Sequence, residues 1–130
     1  MPTIFSRIIS GEIPCHKIAE TEEFIAFLDI MPLAIGHTLV IPKKEVDYIF
    51  SLDDKTLAGL MLFAKQIAPA IEKAVPCLRI GVAVIGLEVP HAHVHLVPLN
   101  IVDDINFTRP KLKPSQDELA TVAAKIRANI

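Results

Sequence analysis

Three histidines at alternating positions, His91, His93 and His95, make the stretch of this 130-residue chain with the most chemistry in it. They lie in Pro90-His-Ala-His-Val-His-Leu-Val-Pro98, where every other residue is apolar or proline. A short run rich in Val and Leu reads as a β-strand. Residues two apart on a strand share a face, roughly 6–7 Å from one another. The spacing therefore predicts a row of three imidazoles on one side, with Ala92, Val94 and Leu96 on the other. Such a row needs a use, because each ring nitrogen taken out of water needs a partner.

The row is compatible with three kinds of use. Three purely structural histidines would each demand a buried partner, which makes this the weakest. In a metal site, His-x-His presents two nitrogens to Zn²⁺ and a third ligand comes from His37 or Glu88; the ion would then activate water for hydrolysis. In nucleophilic catalysis at phosphorus, one imidazole attacks and its neighbours orient it, hold the phosphate oxygens and protonate the leaving group. An imidazole titrating near neutrality suits each of these tasks. Residue chemistry alone leaves the second and third readings open.

The elements that must position this row follow from patterning. Thr3 can cap a short helix with Ile4, Phe5, Ile8 and Ile9 on one face, stopped by Gly11. Strand signals cover residues 15–20 weakly and 24–30 strongly, the second interrupted by Asp29 near its end. After turn signals at Pro32 and Gly36, a third strand covers 37–42 and opens on His37. A capping box from Ser51 to Asp54 starts a long helix with Leu57, Leu60, Ala64, Ile71 and Val75 at helical spacing. Pro69 predicts a kink or an early end. A fourth strand covers 78–85, and its short link to the histidine run favours an antiparallel hairpin. Residues 99–114 show no period and read as a loop or arm. Ser115 to Glu118 is a capping box for a last helix lined by Leu119, Val122, Ala123 and Ile126. The sum is one α+β domain over 1–130, an antiparallel sheet with helices packed on it.

Composition narrows the class. Apolar residues make up 52% of the chain and there is no Trp, so the core is mainly aliphatic. A net charge of −2 without a basic cluster argues against nucleic acid as a partner. No apolar run reaches the ~20 residues of a membrane span, and no secretory signal precedes the first helix. Cys15 and Cys77 have no metal-ligand spacing and read as free thiols of a cytoplasmic protein.

The chain resembles the histidine triad (HIT) family, whose signature is His-φ-His-φ-His-φ-φ with φ apolar, here His91-Ala92-His93-Val94-His95-Leu96-Val97. Further blocks accompany it in family order: Ile4-Phe5 with Ile8-Ile9, Gly11-Glu12-Ile13-Pro14, Ala26-Phe27-Leu28-Asp29-Ile30, and Gly36-His37-Thr38-Leu39-Val40-Ile41-Pro42-Lys43-Lys44. The resemblance spans residues 3–98; residues 99–130 match nothing specific. It implies a five-stranded antiparallel sheet with a long helix and short terminal helices, and a homodimer that joins two sheets. It implies hydrolase or transferase chemistry at the α-phosphate of a nucleoside phosphoramidate or dinucleoside polyphosphate, through a nucleotidyl-histidine. A purine nucleotide would be substrate or product, with no metal or other cofactor.

By the same resemblance, His93 matches the nucleophile and His95 the group that contacts the phosphate and assists the leaving group. His91 matches the histidine that orients the nucleophile, and His37 the fourth histidine closing a hydrogen-bond relay. Asp29 matches the carboxylate on the ribose hydroxyls. Phe5, Ile8, Phe27, Leu28 and Ile30 match the walls of the nucleotide pocket. The chain also departs from the pattern. Some members bind a structural zinc through two cysteines near the N-terminus; Thr3 and Ser6 stand there, so no such zinc is expected. Glu45 stands where many members have a histidine after the Pro-Lys-Lys block. The loop Gly86-Leu87-Glu88-Val89-Pro90 replaces the usual neutral phosphate contacts, and Glu88 beside a phosphate would repel it. A zinc hydrolase and a non-catalytic nucleotide-binding module are the competing expectations.

Overall fold

Alternation along the strands builds a sheet with two different faces. The computed structural model describes residues 2–130. Strands β1 (Lys17–Glu20), β2 (Phe24–Leu28), β3 (Thr38–Pro42), β4 (Arg79–Ala83) and β5 (Val94–Leu99) pair in the order β1-β2-β3-β5-β4. All four pairings are antiparallel, so the α+β expectation holds. Phe24, Ala26, Leu28, Val40, Val94 and Leu96 enter the larger core. Ile25, Phe27, Leu39 and Ile41 point the other way and form a second, smaller cluster with Phe5.

Two helices close the larger core. α2 (Asp54–Ala74) supplies Leu60, Phe63, Ile67 and Ile71, and α3 (Gln116–Arg127) supplies Leu119, Ala123 and Ile126. The cap of α2 is Asp53, whose carboxylate accepts from the Thr56 amide at 3.1 Å. Ser51, the cap suggested by the sequence, belongs to a 3-10 turn over Ile49–Ser51 instead. α2 runs unbroken through Pro69. Pro69 and Lys65 both lie on the exposed side, so water can satisfy the carbonyl that the proline leaves without a donor. Ser115 and Glu118 make both bonds of the expected capping box at the start of α3.

The smaller cluster is covered by α1 (Ile4–Ile9). Thr3 caps it, its hydroxyl accepting from the Ser6 amide at 3.1 Å. Gly11, at φ +85°, turns the chain away in a left-handed conformation that glycine adopts without strain.

The histidine run is strand for only half its length. β5 begins at Val94, and its ladder with β3 runs from Val40↔Val94 to Thr38↔Leu96. Upstream, the Ala92 amide donates to the Val46 carbonyl at 2.7 Å, and the His91 ring has taken the carbonyl of Pro42, where β3 ends. The predicted alternation survives this loss of ladder. Ala92, Val94 and Leu96 lie in the larger core, and the three rings face the smaller cluster.

After Leu99 the chain makes a 3-10 turn over Val102–Ile105 and a second turn in which the Arg109 amide donates to the Asn106 carbonyl at 3.1 Å, and then runs as an arm without regular structure up to α3. The arm is pinned by the Leu112 amide, which donates to the Pro32 carbonyl at 2.9 Å. Among the described residues no helix is long and apolar enough to cross a membrane.

Candidate active site

The four histidines meet on the α1 side of the sheet, each delivered by a different local device. His95 is held in the ladder opposite Leu39 of β3 and Ala83 of β4. His93 is the last residue before β5. His37 precedes β3 and follows Gly36, whose φ of +95° favours glycine. A Cβ at Gly36 would also lie 2.8 Å from Cγ2 of Val75, so side chain and conformation are both excluded there. All four rings are buried, His91 and His37 almost completely.

Hydrogen bonds fix where each ring keeps its proton. Nδ1 of His93 lies 2.7 Å from the His91 carbonyl, which can only accept, so His93 carries its proton on Nδ1 and leaves the Nε2 lone pair free. The Leu33 amide donates to Nδ1 of His37 at 3.0 Å, so the neutral His37 ring is protonated on Nε2. That nitrogen lies 3.0 Å from Nδ1 of His95 and donates to it. His95 therefore bears its own proton on Nε2. His91 donates from Nε2 to the Pro42 carbonyl at 2.8 Å, and its Nδ1 faces the Thr3 hydroxyl at 3.2 Å. The row thus presents one nucleophilic nitrogen, on His93, beside one N–H donor, on His95, with ring centroids 4.9 Å apart.

Burial favours the neutral form of His37, His93 and His95. It pushes His37 down to about 3, helped by repulsion from His95, Lys111 and His93. His95 is lowered to about 4 by burial, helped by repulsion from His93 and Lys111. His93 is also lowered by burial, against the opposing effect of its bond to the His91 carbonyl. Neutral imidazoles are the forms needed for a nucleophile and for a donor of this tautomer.

The expected pocket residues divide. Phe5 sets its ring edge-on to His93 at 5.0 Å, to His91 at 5.9 Å and to Phe27 at 5.7 Å. Ile8 packs against the same cluster. Leu28 packs on the other face of β2, in the larger core, and lines a small hollow with Asp29, His37, Gly36 and Leu119. Ile30 is 56% exposed on the bend after β2 and belongs to neither core.

Asp29 sits just past β2 and has two roles. Its Oδ1 accepts from the Met31 amide at 2.9 Å, as a turn residue would, while Oδ2 stays 3.8 Å from Nε2 of His37. Burial raises its pKa, against the Met31 amide and Lys111, and Glu88 raises it further. Glu88 is exposed and makes none of the ion pairs among the described residues. Its charge acts on both Asp29 and His93.

Sequence reasoning missed the arm. Phe107 lies edge-on to His95 at 4.7 Å, and Lys111 Nζ donates to the Phe107 carbonyl at 2.6 Å. The arm therefore packs against the site of its own chain. An aperiodic polar segment gives no signal of such packing.

Asp29, His37 and His95 offer ligand atoms within 4.8 Å of one another. The His37 nitrogen among them is the one that the Leu33 amide forces to carry a proton, so the set does not fit a metal as it stands. Within the row, only Nε2 of His93 keeps a lone pair uncommitted.

An antiparallel sheet that holds a buried, tautomer-locked histidine row beside a carboxylate defines a class of protein. The chain belongs to the HIT domain family, whose model matches residues 10–101. It is 33% identical to an adenosine 5'-monophosphoramidase of Schizosaccharomyces pombe, over 100% of this chain and 99% of the relative. It is equally identical, at 33%, to an uncharacterized HIT-like protein of Borreliella burgdorferi, over 98% and 97% of the two chains. A HIT-like protein from Bartonella henselae superposes with a TM-score of 0.85 at 34% identity, covering 98% of this chain and 96% of that one. A zinc-bound histidine triad protein from Mycobacterium smegmatis superposes at 0.82 with 30% identity, covering 97% and 91%.

Proposed function

We propose that the protein hydrolyses a nucleoside phosphoramidate, with a dinucleoside polyphosphate as the related alternative substrate, through a covalent bond between His93 and the α-phosphorus. The observation that carries this reading is the bond from His93 Nδ1 to the His91 carbonyl, which leaves Nε2 as a free nucleophile beside the His95 N–H. In the first step Nε2 attacks the α-phosphorus and the bond from phosphorus to the leaving nitrogen breaks. The ring becomes a phosphorylated imidazolium, and its Nδ1–H is held by a carbonyl dipole that stabilises the new charge. His95 Nε2–H donates to a phosphoryl oxygen or to the leaving atom. Water then attacks the P–N bond to His93 and releases the nucleoside monophosphate. Over both steps water supplies the hydroxyl on phosphorus and the proton on the departing amine.

Asp29 suits the ribose hydroxyls as an acceptor, and Phe5, Ile8 and Phe27 form the apolar wall against which a purine would lie. The yeast relative's activity points the same way. The test is turnover of an adenosine phosphoramidate by native protein and by folded His93→Ala. Release of AMP by the native chain and its loss in the variant is the expected result; a native rate in His93→Ala would overturn the proposal.

A second copy of the chain is the proposed partner. β4 is an edge strand, and Val82 (53%), Ile85 (45%) and Leu87 (88%) are exposed on it and on the loop beyond. An unpaired apolar edge is a surface that a second sheet can cover. Light scattering at micromolar concentration should give twice the monomer mass, and a monomer would remove this part of the reading. Tight binding of AMP without any turnover would instead favour the nucleotide-binding module. A zinc hydrolase would require stoichiometric metal in tag-free protein, lost in His91→Ala.

A further inference from the structure

Glu45, Thr3 and His91 tie together three separate parts of the chain: the loop after β3, the cap of α1 and the first residue of the histidine run. Glu45 Oε1 accepts from the Thr3 backbone amide at 3.0 Å and from the Ser6 hydroxyl. The Thr3 hydroxyl lies 3.2 Å from His91 Nδ1. Because His91 Nε2–H is committed to the Pro42 carbonyl, Nδ1 is an acceptor and the Thr3 hydroxyl donates to it. His91 is 0% exposed, so neither ring nitrogen has water as an alternative. The cluster does not fit the structural zinc of some relatives. Two of its donors are neutral hydroxyls whose protons are already given to Glu45 and His91, whereas zinc takes thiolate, imidazole or carboxylate.

We propose that Glu45 is a positioning residue for His93, acting through Thr3 and His91 as a clamp that needs no metal. Its carboxylate holds the first turn of α1. Thr3, at that turn, fixes the His91 ring, and the His91 carbonyl receives the His93 Nδ1–H at 2.7 Å. Phe5, two residues beyond Thr3, sets its edge against both rings. One exposed carboxylate thus governs the carbonyl acceptor and the aromatic wall of the nucleophile. The Ser6 hydroxyl and Thr3 amide hold the Glu45 carboxyl below its usual range, so it is charged at neutral pH.

This inference rests on reading His93 as the nucleophile, and its test separates the two. Phosphoramidate turnover and ring-nitrogen NMR of His91 are compared in the native chain, Glu45→Ala, Glu45→Gln, Thr3→Val and Thr3→Ser. Gln keeps an oxygen that accepts from both donors, and Ser keeps the hydroxyl. Glu45→Ala and Thr3→Val should lower kcat by about tenfold, with KM altered less than about twofold, because small misplacements of a reacting group are costly. Both should also lose the hydrogen-bonded signature of His91 Nδ1. Glu45→Gln and Thr3→Ser should retain rate and signature. An unchanged His91 resonance in folded Glu45→Ala overturns the clamp, and so does a rate loss that follows only a lowered melting temperature. If the native chain turns over no phosphoramidate, the reading of His93 fails and the NMR comparison still decides the clamp.

Discussion

His37 Nε2 lies 3.0 Å from His95 Nδ1, and the proton between them belongs to His37 because the Leu33 amide occupies that ring's other nitrogen. The direction of this bond matters more than its existence. It leaves His95 with its proton on Nε2, where a donor is useful to a phosphate; the opposite tautomer would place a lone pair there and repel it. A backbone amide outside the histidine run thus sets the chemistry of a ring inside it.

His37→Ala removes the donor and leaves the buried His95 Nδ1 without a partner. The rate of phosphoramidate cleavage should fall by about tenfold to a hundredfold, the scale of a misdirected acid–base group. The loss should be smaller than in His93→Ala, since the proposed nucleophile remains. Single-turnover kinetics on the folded variant checks this, and a native rate would show that His37 sets nothing.

The buried rings make the fold sensitive to acid in a defined window. His37 is held at about 3 and His95 at about 4, against 6.5 for an exposed imidazole. Above 6.5 both rings are neutral in the folded and unfolded chain, and their contribution to stability is fully present. As pH falls below that value, the unfolded chain binds protons that the native rings refuse. Stability then declines, by up to about 1.4 kcal/mol per pH unit for each ring, until the native values are reached. Asp29 opposes this at the acid end, because burial raises its pKa and the native carboxyl takes its proton first. Urea midpoints measured from neutrality down to pH of about 5 should fall steadily, and less steeply in His37→Ala. A flat profile in the native chain would contradict the buried neutral rings.

Phe107 should keep His95 neutral by keeping it dry. Burial is the leading cause of the low His95 value, and Phe107 is the aromatic cover at 4.7 Å. Phe107→Ala admits water and should move the His95 pKa upward from about 4, read by proton NMR titration. Lys111→Ala should raise it as well, because the lysine charge also disfavours the protonated ring. A His95 titration unchanged in both variants would remove the arm from the site.

Much of this arrangement is legible in the sequence. The alternation from Ala92 to Leu96 gave the faces correctly, because apolar side chains on one side had only the larger core to enter. Thr3 and Ser115 cap because their hydroxyls reach amides three residues on, and Glu118 because its carboxylate reaches back to the Ser115 amide. The ladder start at Val94 was not legible, since it depends on where β3 ends and on the His91 ring claiming the last carbonyl. The resemblance places Leu28 in the pocket wall, whereas a period of two along β2 places its side chain with Phe24 and Ala26, on the other face from Phe27. The arm was opaque for a different reason: Phe107 and Lys111 act through one long-range packing contact and have no periodic pattern.

Glu88 supplies the remaining prediction. It is exposed, lies in the loop before the triad, and raises the pKa of both Asp29 and His93. On the proposed reading, a negative charge acting on Asp29 and His93 also acts on the dianionic phosphate of a product monophosphate. Repulsion through solvent is modest, about 1 kcal/mol for unit charges 4 Å apart in water, and weaker at greater separation. Glu88→Gln should therefore tighten AMP binding by a few-fold, on the order of that Coulomb energy. Salt should shrink the difference between native and variant, because the interacting charges are reachable by counterions. Isothermal titration of AMP at low and high ionic strength gives both quantities. Equal affinities at low salt would show that Glu88 faces away from the phosphate, and the altered loop would then leave the substrate's charge unopposed.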